Sequence, residues 1–439
     1  MALRARPPQP LPRKAFATTR VPVPSAERLK STVRQLGPGL ITGAADDDPS
    51  GIATYSQAGA QFGFSMLWTV VITLPLMAAI QLVSARIGYV TGEGLSGNMR
   101  AHYPRWMLVG CVGLLVLANT LNIGADIAAM AEALRLLVGG SAHVYAVTLG
   151  LLCLVLQVFV PYERYVRWLK WLTLVLFAYV AVVMSVRIAW WDVARAVVWP
   201  WPGLPAGRDV FVTLVAVLGT TISPYLFFWQ AAQEVEDRRH GEHTDEEVRR
   251  ELARIRLDTT VGMAFSNGIA FCIMLSTAAT LFAAGVHDIQ TSAQAAEALR
   301  PVAGEFTFLL FGLGIIGTGM LAVPVLAGSA AYAVAGAMGW HGSLTLNLRR
   351  GEGRAFYSVI AAATVIGIVL CFTPMDPVKE LFWSAVLNGV VAVPIMAVLM
   401  RMATNPRVMG RHVIGRRVRW LGWAATAVMG LTVAGMFVG

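Results

Sequence analysis

Residues 36–63 read LGPGLITGAADDDPSGIATYSQAGAQFG. Asp46, Asp47 and Asp48 fall in the middle of an apolar stretch long enough to cross a bilayer, and Pro49 and Gly51 follow at once. On insertion scales each carboxylate at that depth costs at least about 2.5–3.5 kcal/mol, so three of them must face protein, water or a cation. Pro49 removes a backbone donor and clashes with the preceding turn. The helix is therefore expected to unwind at this point. Carbonyl oxygens freed in this way are tolerated within a membrane only where they line a cavity.

The rest of the chain supplies the membrane context. Of 439 residues, 56% are hydrophobic and 14% charged, and the mean hydropathy is +0.62. A soluble domain carries about 25% charged residues. The imbalance excludes a soluble enzyme, a disordered chain and a coiled coil, and leaves a polytopic membrane protein in a lipid bilayer. Eleven apolar segments are expected near 36–57, 62–85, 106–134, 144–160, 171–186, 209–233, 259–284, 305–340, 355–373, 380–400 and 420–438. Residues 1–35 are basic and Pro-rich without an apolar h-region, which reads as a disordered cytosolic tail.

With the N-terminus inside, six of the 35 Lys and Arg fall outside: Arg135, Arg187, Arg195, Arg208, Arg300 and Lys379. All the others fall on the cytosolic side. This asymmetry sets the N-terminus in and the C-terminus out. It also explains the net charge of +10 without nucleic acid. The Arg-over-Lys bias and short loops point to a bacterial cytoplasmic membrane. The hydrophilic stretch Glu234 to Arg256, with His240 and His243, reads as a solvated cytosolic linker or a short charged helix. Cys111, Cys153, Cys272 and Cys371 lie far apart in apolar runs and read as inert core residues. Oligomeric state is not legible.

The sixth segment repeats the feature of the first. Pro224 interrupts an apolar run among Gly219, Thr220, Thr221 and Ser223. It comes five segments after Pro49, and five is odd, so a second set of five segments lies inverted relative to the first. Interrupted helices at equivalent places in two inverted halves mark a transporter binding site. The repeats run over about 36–190 and about 209–402, within a transmembrane domain of 36–439, with segment 420–438 added. Pro75, Pro324 and Pro394 show that proline alone is weak evidence of a break.

A carboxylate cluster among freed carbonyls and hydroxyls suits hard divalent cations such as Mg²⁺ or Mn²⁺. The metal is cargo; no cofactor is expected, and no enzymatic activity. The third segment adds Asn119, Asn122 and Asp126, with Asn122 and Asp126 on one helix face. Asp126, Asn122, Asn267 and Gln230 are candidates for a proton or ion path, and Asn388 for the metal. Asn267 and Asn388 also fit interhelical hydrogen bonds. Glu132 reads as solvated at a segment end, and Gln233 as a neighbour of the exit path.

GPGLITGAADDDPSG at 37–51 followed by ISPYLFFWQAAQEVE at 222–236 resembles the NRAMP family of divalent metal transporters. The likeness runs from about Gly37 through the tenth segment. It implies an all-α, LeuT-type inverted-repeat fold of five plus five spans, with broken helices 1 and 6 and an eleventh span. The family's D-P-G-N motif maps its aspartate to Asp48 and its proline to Pro49, but its asparagine position is Gly51. The M-P-H motif maps to Ser223, Pro224 and Tyr225, and the family's carbonyl contributor maps to Thr220. Of the aspartate and glutamate that often serve proton movement in span 3, Asp126 matches the first and Ala129 replaces the second. The resemblance thus implies a metal site of Asp48, Thr220 and Ser223, to which the residue reading adds Asp47 and Asn388. The missing methionine is shared with the NRAMP-related magnesium transporters. Its absence implies weaker preference for soft metals, the short Ser223 and the bare Gly51 imply a roomier all-oxygen pocket, and the loss of the histidine at Tyr225 and of the glutamate at Ala129 implies weak or absent proton coupling.

Two other functions share some of these features. A Na⁺-coupled transporter of amino acids or other organic solutes uses the same fold, but adjacent carboxylates would repel a substrate carboxylate. An intramembrane prenyltransferase holds Mg²⁺–diphosphate on aspartates, but it needs a second Asp-rich motif and mid-span basic residues, and the chain has neither.

Overall fold

The computed structural model describes residues 38–160, 172–199, 207–238, 244–346 and 353–438. The expected tail, His240 and His243 lie outside them. Apart from single-turn pieces, the helices are α1 (Pro38–Asp46), α2 (Pro49–Phe62), α3 (Leu67–Thr91), α4 (Leu95–His102), α5 (Arg105–Val138), α6 (Ala142–Phe159), α7 (Phe177–Ser185), α8 (Trp190–Val198), α9 (Arg208–Thr221) and α10 (Pro224–Asp237). They continue with α11 (Asp245–Thr277), α12 (Thr307–Met338), α13 (Arg354–Leu370), α14 (Pro377–Ala403) and α15 (Arg416–Val438). There is no strand among the described residues.

Eight stretches are long and apolar enough to cross a membrane, or nine if the bent pair Leu174–Ser185 and Trp190–Val198 is one span. Each of the eleven segments expected from sequence is mostly helix over its described residues, and the difference in count has physical causes. Residues Pro49–Thr91 form one stretch of 43 residues that holds the end of the first segment and all of the second, and α13 has only 17 residues. The bent pair turns by 113° after α7. Its second member, α8, exposes Trp190 and Trp191, as suits a helix lying at a membrane interface. Val109, Leu117, Val155, Val369 and Leu431 are exposed on other helices, where lipid is their natural solvent.

The five prolines behave in two ways. Pro75, Pro324 and Pro394 lie inside continuous helices. Pro49 and Pro224 each occupy the first turn of a new helix, where the missing N–H is not needed. At both, the preceding residue is extended: Asp48 at φ −73°, ψ 170° and Ser223 at φ −77°, ψ 127°. Both expected breaks are therefore present.

Each broken helix runs along an unbroken helix of the other repeat. Span 1 follows α11: the Gly39 N–H donates to Asp258 across 219 residues of sequence, and Ser266 reaches Asp47 across the same 219. Between them, a methyl built on Gly43 would lie 2.3 Å from the Gly262 carbonyl oxygen, and beyond the break one on Gly59 would lie 2.3 Å from the Met274 carbonyl oxygen. An offset of 219 up to the break, and of 215 beyond it, means two chains running parallel, and glycines let their backbones touch. Span 6 follows α3 in the same manner. Ser84 donates to the Phe227 carbonyl, Gln81 to the Leu226 carbonyl at 2.9 Å, and a methyl on Gly88 would meet the Ala231 oxygen at 2.2 Å. Each break is thus splinted by a helix that does not break.

In the stretch Glu234 to Arg256, residues 239–243 lie outside the described residues and the rest is almost all helix, the second of the two readings above. Helix α10 continues to Asp237 and α11 begins at Asp245. The charged helix is simply the first turns of span 7, started by a capping box between Thr244 and Glu247. Glu234 is buried and faces Arg254 at 3.7 Å.

Candidate metal site

Asp48 is the N-cap of α2. Its Oδ1 accepts from the Gly51 N–H at 2.7 Å and the Ser50 hydroxyl at 2.6 Å. These bonds fix the carboxylate over the helix N-terminus, where negative charge is favoured. The other oxygen, Oδ2, faces the bundle: the Asn122 amide of α5 donates to it at 3.1 Å, and the Tyr225 hydroxyl of α10 lies at 3.4 Å. Asn122 in turn accepts from Ser384 of α14 at 2.6 Å. Spans 1, 3, 6 and 10 therefore meet at one carboxylate that is 2% exposed.

Asp46 and Asp47 face elsewhere. Both turn to Ser266 of α11, whose hydroxyl is 2.6 Å from Asp46 Oδ2 and 3.2 Å from Asp47 Oδ1. A hydroxyl has one hydrogen and satisfies one of these oxygens at a time. Asp46 Oδ1 and Asp47 Oδ2 have no hydrogen-bond partner. No Lys or Arg pairs with any of the three aspartates among the described residues. Buried charge must be compensated, so this pair requires protons or a cation. No group of three His, Cys, Asp or Glu is arranged to hold a metal among the described residues. A metal at Asp48 would rely on carbonyls, hydroxyls and amides for its remaining ligands. The structure thus groups Asp47 with Asp46 and separates it from Asp48.

At the second break, the Ser223 hydroxyl lies 2.7 Å from the Thr220 carbonyl and 2.9 Å from the Gly219 carbonyl and donates to one of them at a time. It closes the end of α9. The Tyr225 hydroxyl donates to the Ala45 carbonyl of α1 at 3.0 Å. Tyr55 and Thr221 join α2 to α9 at 3.0 Å. Asn388 of α14 is fully buried, with neither amide atom bonded. Its neighbour Gly389 packs on Gly219, which places Asn388 beside the end of α9. The roomier pocket expected at Gly51 is not found. A Cβ there would meet the Thr220 hydroxyl at 3.2 Å and the Tyr55 ring at 3.4 Å.

Asp126 is fully buried with both oxygens unbonded, one helical turn from Asn122. Asn119 donates to the Leu326 carbonyl at 2.9 Å. The Asn267 amide donates to the Val70 carbonyl of α3 at 2.7 Å, the interhelical role open to an asparagine. Its neighbour Ser266 is the residue that reaches the aspartates. Gln230 is bonded to Gln81 at 2.6 Å and Thr259 at 2.8 Å. Glu132 is not free but pairs with Arg135 at 2.6 Å. Sequence reading missed Ser384 and Ser266. Ser384 lies four residues before Asn388, a helical spacing that would have flagged it.

Two cavities lie at opposite ends of span 6. One of about 600 Å³ is lined by Gln57, Gln61, Arg208, Asp209, Asp288 and Lys379. The other, about 410 Å³, is lined by Glu93, Arg100, Glu236, Tyr332 and His341. The aspartates line neither and are at most 2% exposed. The site is closed to both.

Two splinted breaks around a buried carboxylate, closed between two cavities, define an inverted-repeat membrane transporter of the LeuT type. The chain belongs to the Nramp family: the model for natural resistance-associated macrophage protein-like sequences matches residues 39–439. Members of this family are transporters, not enzymes. The chain is 26% identical over 400 residues to the divalent metal cation transporter MntH of Klebsiella pneumoniae subsp. pneumoniae, covering 90% of this chain and 91% of that protein. It is 28% identical over 296 residues to MntH of Yersinia pestis, covering 66% and 69%. The fold matches the Eremococcus coleocola manganese transporter with a TM-score of 0.73 at 18% identity, over 95% of this chain and 88% of that one. It also matches the nucleobase-cation-symport transporter Mhp1, with a TM-score of 0.59 at 16% identity over 92% and 89%.

Proposed function

We propose that this protein is a secondary transporter that moves divalent metal cations, Mg²⁺ or Mn²⁺ or both, with Fe²⁺ a further candidate, across the cytoplasmic membrane by alternating access. The N-terminus is inside and the C-terminus outside. The observation that carries this reading is Asp48. It is buried, has no ion-pair partner among the described residues, is held at a helix break, is bonded to Asn122 of span 3 and faces the Tyr225 hydroxyl of span 6. Two relatives whose names specify divalent metal cation transport support it.

The metal binds Asp48 with oxygen donors of the second break, Thr220 and Ser223, and the Asn388 amide. All are hard ligands. No sulfur stands at Ser223 to favour soft metals. Passage of the ion requires α1 to leave its partners on one side and α2 and α9 to part on the other. Asp126 lies one turn from Asn122, is not paired with a glutamate at Ala129, and does not support stoichiometric proton coupling.

Uptake into proteoliposomes tests this reading, with Mg²⁺, Mn²⁺ and Ca²⁺ in competition and a pH dye in the lumen. Saturable Mn²⁺ uptake inhibited by Mg²⁺, with little lumenal acidification, is expected. Rejection of millimolar Mg²⁺ or stoichiometric acidification counts against the selectivity and coupling described. Amino-acid uptake insensitive to divalent metals overturns the reading.

A further inference from the structure

Several buried threonines in these spans return their hydroxyls to their own helix, whereas Thr213 reaches Gln61 and Thr54, like Thr220, has no partner among the described residues. Thr120, Thr318, Thr364 and Thr426 each donate to the carbonyl four residues back, at 2.7–3.0 Å, as does Thr221, beside Thr220, at 2.6 Å. Thr220 does not. Thr220 is 1% exposed, and its hydroxyl has no hydrogen-bond partner among the described residues. An unsatisfied buried hydroxyl costs about 1–3 kcal/mol, and the usual remedy, the carbonyl one turn back, is available to it. Instead the hydroxyl points across to α2, 3.2 Å from where a side chain at Gly51 would begin. The Asp46 carbonyl oxygen lies 3.5 Å from that same point, and Asp48 Oδ1 holds the Gly51 N–H at 2.7 Å.

We infer that the Thr220 hydroxyl is itself a cation ligand and that Gly51 is the residue that admits it. This rests on the transport reading above and adds to it a specificity-determining pair. A side chain at 51 and a hydroxyl at 220 compete for one space, so the chain supplies its neutral oxygen donor from span 6 rather than span 1. A hydroxyl binds without losing a proton and favours hard cations over soft ones.

The test measures Mn²⁺ and Mg²⁺ uptake against concentration in proteoliposomes carrying the full chain, with variants accepted only if monodisperse after purification. Thr220→Val is isosteric and removes the oxygen. It should raise KM for both ions about tenfold or more, the loss typical even of an outer partner of a metal ligand. Thr220→Ser keeps the oxygen and should raise KM by less than Thr220→Val does. Gly51→Asn should transport poorly and regain uptake when combined with Thr220→Ala. A parental KM in Thr220→Val overturns the inference, as does equal impairment of Thr220→Ser and Thr220→Val, which would indicate packing. Asp48→Asn separates the two failures. If it is inactive while Thr220→Val is parental, only the hydroxyl assignment falls. If it transports normally, the site itself falls.

Discussion

The Tyr225 hydroxyl, one residue past the proline of the second break, lies 3.4 Å from Asp48, one residue before the proline of the first. It donates its hydrogen to the Ala45 carbonyl at the end of α1. One phenol thus ties α10 to α1 while facing the carboxylate. Such a bond contributes about 0.5–1.5 kcal/mol, so Tyr225→Phe should change the maximal rate of uptake by a few-fold and spare KM. Complete loss of uptake would instead make the phenol part of the binding site.

The glycine contacts between α1 and α11 should be intolerant of side chains. Gly43→Val places atoms into the Gly262 backbone, and overpacking of this kind costs about 1–3 kcal/mol. A Cβ on Gly268, in the same helix α11, meets nothing within 4 Å. Thermal unfolding in detergent should therefore fall for Gly43→Val and stay near parental for Gly268→Val. Equal midpoints would mean that α1 is not docked on α11.

The prolines offer a comparison within one chain. Pro49→Ala and Pro224→Ala restore an N–H at a break and favour a continuous helix, which would bury the carbonyls of the site. Pro75→Ala and Pro394→Ala act inside helices that are already continuous. Uptake should slow in the first pair and persist in the second. Parental rates in all four would show that packing on α3 and α11 maintains the breaks without proline.

Ser223 stands where a thioether would select soft metals. Ser223→Met also releases the Gly219 and Thr220 carbonyls from its hydroxyl. Competition assays should shift toward Cd²⁺ and Mn²⁺ and away from Mg²⁺. One soft contact worth about 1–2 kcal/mol corresponds to roughly 5–30-fold. An unchanged ratio would remove Ser223 from the selectivity mechanism.

Much of this arrangement was legible in the sequence because its signals are local. Three aspartates before Pro49 in an apolar run, and a second proline among hydroxyls at Pro224, require breaks wherever the helices pack. The Asn122 and Asp126 face was equally readable from helical spacing. What the sequence does not carry is direction across space. Asp47 and Asp48 are adjacent, yet one faces Ser266 of α11 and the other Asn122 of α5, because the chain turns from helix to cap between them. Asn267 and Ser266 were similarly indistinguishable until α3 and α11 were placed. The closed space at Gly51 depends on Thr220, 169 residues later.

Asp48→Asn tests the central claim most directly. Asparagine caps a helix about as well as aspartate, so the variant keeps the start of α2 and loses only the charge. Mn²⁺ uptake should lose its saturable component in proteoliposomes while the protein remains monodisperse and normally inserted. Near-parental saturable Mn²⁺ uptake by that well-folded variant would contradict the account.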